Sequence, residues 1–199
     1  MKMLSHRIRL QSVIANSRIH KEEYLRSLLW NHAHNQQTEG SIMKTLIVYY
    51  TRTGHTKFAA ETIAAELGAD IEEVIDLKNR QGRLAFLPAG RDAMQGKETQ
   101  IAPTKRTPTD YDLIVIAQPI WAGSPTPAIR TYLNKNDLSG KKAALFFSDS
   151  GSAQAVEKTK ALMSNSIFIG ELALPAKGFE DKEEAKKKIA EWCDTLKIA

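Results

Sequence analysis

The sequence lacks the features that mark several common classes of protein. Its 199 residues include a single cysteine, Cys193, which excludes an internal disulfide and a cysteine-based metal cluster. One cysteine favours a reducing, cytoplasmic setting. No stretch approaches the ~18 consecutive apolar residues that a membrane-spanning helix needs. We therefore expect a cytoplasmic protein with no membrane partner.

Charge of one sign is not in strong excess either. The chain has 28 basic and 23 acidic residues, a formal net charge of +5. Six of the basic and three of the acidic residues precede Met43, which leaves only +2 for residues 43–199. In that segment Lys and Arg alternate with acids rather than forming a basic patch, so we expect no nucleic-acid partner.

Familiar phosphate-handling motifs are missing as well. There is no G-x-x-x-x-G-K-[ST], which excludes P-loop nucleotide chemistry, and no G-x-G-x-x-G after the first predicted strand. A phosphoryl-accepting receiver domain would need acidic residues at the end of that strand, where Tyr50, Thr51 and Arg52 stand. A cysteine phosphatase would need its thiol in the next loop, far from Cys193.

The first 42 residues differ in composition from the rest of the chain. They contain four of the five histidines and no proline. The stretch before Lys21 holds four basic residues and no acids, a bias shared by organellar transit peptides. Met43, however, begins the segment MKTLIVYY, which would itself make a natural chain start. We expect residues 1–42 to be a flexible or dispensable extension and residues 43–199 to form one domain.

From Met43 onward, segments with the composition of strands alternate with segments of helical periodicity. Strands are predicted at 45–50, 70–77, 111–118, 142–148 and 168–174. Helices are predicted at 55–67, 127–133, 153–164 and 181–197. This alternation predicts an α/β fold of three layers, a doubly wound parallel five-stranded sheet with helices on both faces. The strand order 2-1-3-4-5 is the expected one for this size.

Three polar segments are expected at the carboxyl ends of the strands, where ligands bind in such sheets. They are residues 51–56, 119–125 and 148–152, each rich in glycine and small hydroxyl-bearing residues. The first of them begins a helix, whose unpaired N–H groups favour an anion. Threonine hydroxyls there add donors, and glycine permits close approach. This loop predicts an anion site, with ordinary N-capping by threonine as the simpler alternative.

Three stretches together resemble a known family. They are VYYTRTGHTKFAA, YDLIVIAQPIWAGSPTPAIRTYL and GKKAALFFSDSG, and they resemble the flavodoxin family over residues 43–199. The resemblance implies FMN as the cofactor, with its phosphate in the first loop and its isoalloxazine ring between the second and third loops. The fifth strand lacks the insertion of the longer flavodoxins, so the chain is similar to the short-chain type.

The resemblance also implies a role for each loop residue. The phosphate loop would be Thr51, Arg52, Thr53, Gly54, His55 and Thr56. The ring would meet the second loop, Pro119, Ile120, Trp121, Ala122 and Gly123. The third loop, Ser148, Asp149, Ser150 and Gly151, would offer backbone donors to the pyrimidine edge. No catalytic or metal-binding side chain is expected.

Within these loops, three positions have more specific expectations. Arg52 and His55 would contribute backbone N–H groups rather than side-chain chemistry. The indole of Trp121 would stack on the flavin, and a buried core tryptophan is the alternative. The peptide between Ala122 and Gly123 would turn toward flavin N5, because glycine tolerates a positive φ.

Two functions remain open at this stage. One is a carrier that passes electrons through FMN to redox partner proteins, and the other is an enzyme that takes hydride from NAD(P)H and reduces a quinone or similar small acceptor. The segment 43–199 lacks the acidic surface that steers carriers to their partners, and the third loop has no tyrosine to cover the second flavin face. The long connection 78–110 is expected to be either a lid or a crossover that covers the sheet.

Overall fold

The structure is a computed structural model that describes residues 43–80, 82–149, 152–163 and 165–199. Our expectation for residues 1–42 lies outside the described residues, as do the predicted site residues Ser150 and Gly151.

A five-stranded sheet forms the centre of the described residues. Its strands are β1 (Thr45–Tyr49), β2 (Asp70–Glu73), β3 (Leu113–Gln118), β4 (Lys142–Phe147) and β5 (Ile167–Ala173). Each neighbouring pair is parallel, and the order is β2-β1-β3-β4-β5. The predicted fold class and strand order are therefore confirmed.

The described residues also contain five α-helices and three short 3-10 helices. The α-helices are α1 (His55–Leu67), α2 (Phe86–Met94), α3 (Pro127–Lys135), α4 (Ala153–Ala161) and α5 (Lys182–Lys197). The 3-10 helices are Arg83–Ala85, Pro108–Asp110 and Ala176–Phe179. Within this part of the chain, no helix combines the length and apolar character needed to cross a membrane.

Helix α2 was not predicted from the sequence. Its nine residues include Pro88 and Gly90, which are poor helix formers in a helix interior. Pro88 lies in the first turn, however, where its missing N–H is not needed by the helix. Ala89 and Ala93 of α2 are buried against the sheet, and this packing is what stabilises so short a helix.

The two faces of the sheet carry separate hydrophobic cores. Alternate residues of each strand point to opposite faces, so Leu46 and Val48 join one core and Ile47 joins the other. Helices α2, α3 and α4 cover the first face, and α1 and α5 cover the second. Because β1 and β3 are covered on both faces, every residue in them is buried, as expected for central parallel strands.

The connection from β2 to β3 covers the edge of the sheet. Strand β2 ends at Glu73 instead of the predicted residue 77 because the chain then pairs antiparallel with the returning segment. Backbone bonds of 2.9 and 3.0 Å, from Leu77 N to Gln100 O and from Ala102 N to Ile75 O, hold this pairing. This connection contains its own helix and packs on the sheet, and its role as a lid stays a prediction.

Candidate functional site

The three predicted loops lie together at the carboxyl edge of the sheet. Backbone N–H groups of Tyr50 and Ser148 donate to Ala117 O and Gln118 O at 3.0 and 3.1 Å, which extends the pairing of β1 and β4 with β3 to the start of the loops. The hydroxyls of Thr56 and Ser148 lie 2.6 Å apart. This hydrogen bond joins the first loop to the third, so the structure brings together the two loops that the sequence placed at one site.

The first loop leaves the start of α1 without a side-chain cap. Gly54 is the N-cap residue with a φ of 95°, and no side chain accepts from the first turn, which also contains no acid. Helices α3, α4 and α5, by contrast, are capped by Thr126, Ser152 and Asp181. The N-capping alternative is therefore wrong for α1, and its first N–H groups remain available to an anion.

The threonines of this loop differ in exposure. Thr53 is exposed and Thr51 is half-buried, with the Thr51 hydroxyl accepting from the Gly54 N–H at 3.1 Å. Thr56 is 1% exposed. The loop thus presents one threonine to solvent and uses the other two to hold its own shape and its link to the third loop.

The two variable positions of the loop make specific side-chain contacts. The ring of His55 stacks on Phe179 with centroids 4.8 Å apart and an angle of 2°. Arg52 instead donates from Nη2 to Gly82 O at 2.8 Å, and its Cζ lies 5.4 Å from the centroid of Phe86. Beyond the backbone role expected of it, Arg52 thus connects the loop to the crossover between β2 and β3 through its side chain.

The second loop contains a tight turn from Trp121 to Ser124. Reciprocal backbone hydrogen bonds of 3.1 Å close it, and both central residues, Ala122 and Gly123, have positive φ, at 49° and 64°. Two successive positive φ values are the mark of a type I′ turn. A Cβ on Gly123 would lie 3.0 Å from Gln154 Oε1, so a side chain there would have to displace the Gln154 amide, and the φ of 64° favours glycine.

Trp121 is buried beneath this turn. The residue is 7% exposed, and its ring meets Tyr50 edge-on at 5.6 Å. Two guanidinium carbons, those of Arg52 and Arg80, lie 5.8 and 5.9 Å from the indole centroid. The indole is thus largely covered by neighbouring side chains, which favours the core alternative, and its stacking on the flavin stays a prediction. The side chain that the turn exposes is the methyl group of Ala122.

Arg80 is held beside Trp121 by a buried ionic network that the sequence gave no reason to expect. The side chains of Arg80 and Asp76 are 4% and 3% exposed, and Nε donates to Oδ2 at 2.6 Å. Asp92 on α2 accepts from Arg80 Nη1 at 2.9 Å and from Lys78 Nζ at 2.8 Å. The network therefore fixes α2 to the segment that follows β2 and holds the Arg80 guanidinium, paired with two carboxylates, beside Trp121.

This network predicts a pH dependence of stability. Hydrogen bonds from Lys78 and Arg80 hold the pKa of Asp92 well below its usual range. A depressed carboxyl pKa stabilises the folded state above the unfolded pKa of about 3.9, and the contribution is lost as pH falls toward the folded pKa. Asp92→Asn should lower the free energy of unfolding by about 3 kcal/mol at pH 7. Urea unfolding should show that this loss of stability relative to wild type becomes smaller below pH 4.

The matched control is Asp194→Asn, which removes an exposed carboxylate paired with Lys197 at 2.9 Å. Exposed pairs contribute about 0–1 kcal/mol, so the unfolding free energy of this variant should be close to that of wild type both at pH 7 and below pH 4. If the difference in unfolding free energy between wild type and Asp92→Asn stayed constant from pH 7 to pH 3, the depressed pKa of Asp92 would be contradicted.

The third loop is described in part. Ser148 and Asp149 are half-buried, and the hydroxyl of Ser152 accepts from Ala155 N at 3.1 Å to begin α4. Among the described residues, no group of three or more His, Cys, Asp or Glu side chains is arranged to hold a metal ion.

The chain is similar in sequence and in fold to known proteins. A family model described as flavodoxin matches residues 44–196. The crystal structure of a flavoprotein from Lactobacillus acidophilus NCFM in complex with FMN is 27% identical, with a TM-score of 0.58, over 69% of this chain and 97% of that chain. A flavoprotein from Bacteroides uniformis is 20% identical with a TM-score of 0.63, over 76% of this chain and 98% of that one. The second similarity shows the fold.

Proposed function

The chain belongs to the flavodoxin family, and we propose that it is a cytoplasmic protein that binds FMN at its three loops and transfers electrons through it to redox partners. The observation that carries the proposal is the start of α1, where a T-x-T-G-x-T loop leaves the first N–H groups without a side-chain cap and without an acid. The Lactobacillus acidophilus relative, solved with FMN, supports the same cofactor.

The residues of the first loop fit a phosphate monoester. Backbone N–H groups at a helix start and the helix dipole favour a dianion, and the exposed Thr53 hydroxyl adds a donor from the open side. Gly54 presents no side chain, and nothing lies within 4 Å of the place where its Cβ would be. The phosphate of FMN would be held here by Thr53 and the N–H groups of His55 and Thr56, and the Thr51 hydroxyl, which accepts from the Gly54 N–H, still has its own proton to donate.

The other two loops fit the ring of the flavin. The Ala122–Gly123 turn and residues Ser148 and Asp149 lie at the same edge of the sheet as the first loop. Bound FMN supplies the electron-carrying chemistry, and the protein supplies orientation and electrostatics. A flavin ring placed against Ala122 would meet a methyl group rather than an aromatic side chain. A methyl group covers less of the ring, so more of the flavin would stay accessible to another molecule.

One observation favours a second function, an NAD(P)H-dependent reductase of quinones or similar acceptors. Leu84, Phe86 and Leu87 are 95%, 62% and 81% exposed, and Phe86 contacts Arg52 of the first loop. Exposed apolar side chains beside a site mark a binding surface. Such a surface suits a flat apolar acceptor as well as it suits a protein.

Anaerobic addition of NADPH to the FMN-loaded full chain distinguishes the two functions. For the carrier we expect the flavin absorbance to persist with NADPH alone and to bleach only after a separate flavodoxin reductase is added. Prompt bleaching by NADPH alone, followed by recovery on addition of a soluble quinone, would contradict the carrier and establish the reductase.

A further inference from the structure

A cavity lies away from the α1 loop, on the face of the sheet covered by α2, α3 and α4. Its volume is about 360 Å³, and its lining includes Met94, Gly96, Ser124, Arg130, Lys158 and Leu162. Two of these side chains are cationic, and none of the residues that line the cavity is acidic.

Arg130 on α3 reaches this cavity with unused hydrogen-bonding capacity. Its Nε is buried and has no hydrogen-bond partner. The guanidinium lies over Gly96, since a Cβ on that glycine would be 3.7 Å from Arg130 Cζ. Gly96 has a φ of 67°, so the chain takes a conformation there that favours glycine and leaves open the space beside the guanidinium. The burial of Nε keeps that atom away from a ligand, so the guanidinium would meet an anion through its two Nη atoms, each 3.9 Å from the same Cβ position.

Lys158 on α4 approaches the same cavity from the other side. Its Nζ donates to Ser124 Oγ at 2.8 Å and to Gly123 O at 3.4 Å. Within the described part of the chain, neither Lys158 nor Arg130 forms an ion pair with a carboxylate. The ammonium has three donors, so one remains after these two bonds. Two cations that line one cavity without carboxylate partners create a positive potential that an anion would relieve.

We propose that this cavity binds the phosphate group of a small phosphomonoester. A phosphomonoester carries a charge of about −1.5 to −2 at pH 7 and three acceptor oxygens, which matches one guanidinium and one ammonium. The cavity is larger than a phosphate alone, and Met94 and Leu162 provide apolar surface for the attached group. Because Lys158 also contacts Gly123 O, the ligand binds directly behind the turn of the second loop.

The test is an NMR titration of the full-length chain with inorganic phosphate and with phenyl phosphate. We expect saturable shifts at the amides of Gly96 and Ser124, with phenyl phosphate binding more tightly than inorganic phosphate. Arg130→Gln and Lys158→Gln should each weaken binding at least tenfold. Lys187→Gln, which removes the same charge from an exposed position on α5, should leave it unchanged.

Three outcomes would overturn the proposal. Non-saturating shifts that are equal in all variants would show a salt effect only, and saturable shifts confined to residues 51–56 would assign phosphate to the α1 loop. Equal affinity for the two ligands would remove the phosphomonoester from the claim. Thr53→Glu separates this cavity from the flavin site, because it should block phosphate at the α1 loop without affecting Gly96. Thermal melts of Arg130→Gln and Lys158→Gln establish that both variants are folded.

Discussion

Replacement of Thr53 by glutamate is expected to abolish the retention of FMN by the purified chain. Thr53 is exposed in the loop that precedes α1, so the new carboxylate disturbs no packing and faces the proposed phosphate position. Two unit charges 4 Å apart repel by about 4 kcal/mol at an effective dielectric constant of about 20. Since about 1.4 kcal/mol is a tenfold change, FMN affinity should fall by about 100- to 1000-fold after allowance for solvent screening.

Thr53→Gln is the matched control, because it has the size of glutamate without the charge. It should retain FMN within about tenfold of wild type, since only one hydroxyl donor is exchanged for an amide. Riboflavin, which lacks the phosphate, should bind wild type and Thr53→Glu equally. Copurification of stoichiometric FMN with Thr53→Glu would show that the phosphate lies elsewhere.

Replacement of Trp121 by alanine is expected to destabilise the fold by about 3–5 kcal/mol, the usual cost of removing a buried aromatic side chain. The indole is 7% exposed and packs against Tyr50, with the guanidinium groups of Arg52 and Arg80 within 6 Å of its centroid. Loss of the indole would leave a cavity under the second loop and remove the ring that the guanidinium groups of Arg52 and Arg80 contact. Urea unfolding monitored by circular dichroism measures the change.

The same variant separates the core role of Trp121 from the stacking role predicted by resemblance. A stacked indole would disfavour the negatively charged reduced flavin, so its removal would raise the reduction potential by about 60 mV for each 1.4 kcal/mol of relief. We expect the potential of Trp121→Ala to stay close to that of wild type, and Trp121→Phe to recover part of the lost stability. A large rise in potential with an unchanged unfolding midpoint would contradict the core role.

The fold was predictable because its elements carry strong local patterns. The apolar runs at β1, β3 and β4, and the periodicity of α1 and α5, required no knowledge of tertiary contacts. Helix α2 could not be predicted in this way, because Pro88 and Gly90 are poor helix formers. The helix depends instead on the burial of Ala89 and Ala93. The end of β2 at Glu73 depends likewise on a distant partner, the returning segment near Ile101.

The position of the candidate loops at one edge of the sheet could be predicted from the sequence, but the contacts of their side chains could not. The order of the strands placed residues 51–56 and Ser148 at one edge, and the hydrogen bond between Thr56 and Ser148 is the consequence. Whether Trp121 points to solvent or to the core depends on the Trp121–Ser124 turn, which spacing alone does not reveal. Arg80 reaches the indole only because Asp76 and Asp92, which lie 16 positions apart in the chain, both bind its guanidinium.

The most direct test of the central claim is the affinity of the full-length chain for FMN compared with riboflavin, measured by quenching of flavin fluorescence or by calorimetry. We expect one FMN bound per chain, and riboflavin bound at least about 100-fold more weakly, because the loop at the start of α1 contributes through the phosphate. A chain that unfolds cooperatively yet binds neither flavin, or binds both with equal affinity, would contradict the binding of the FMN phosphate at this loop.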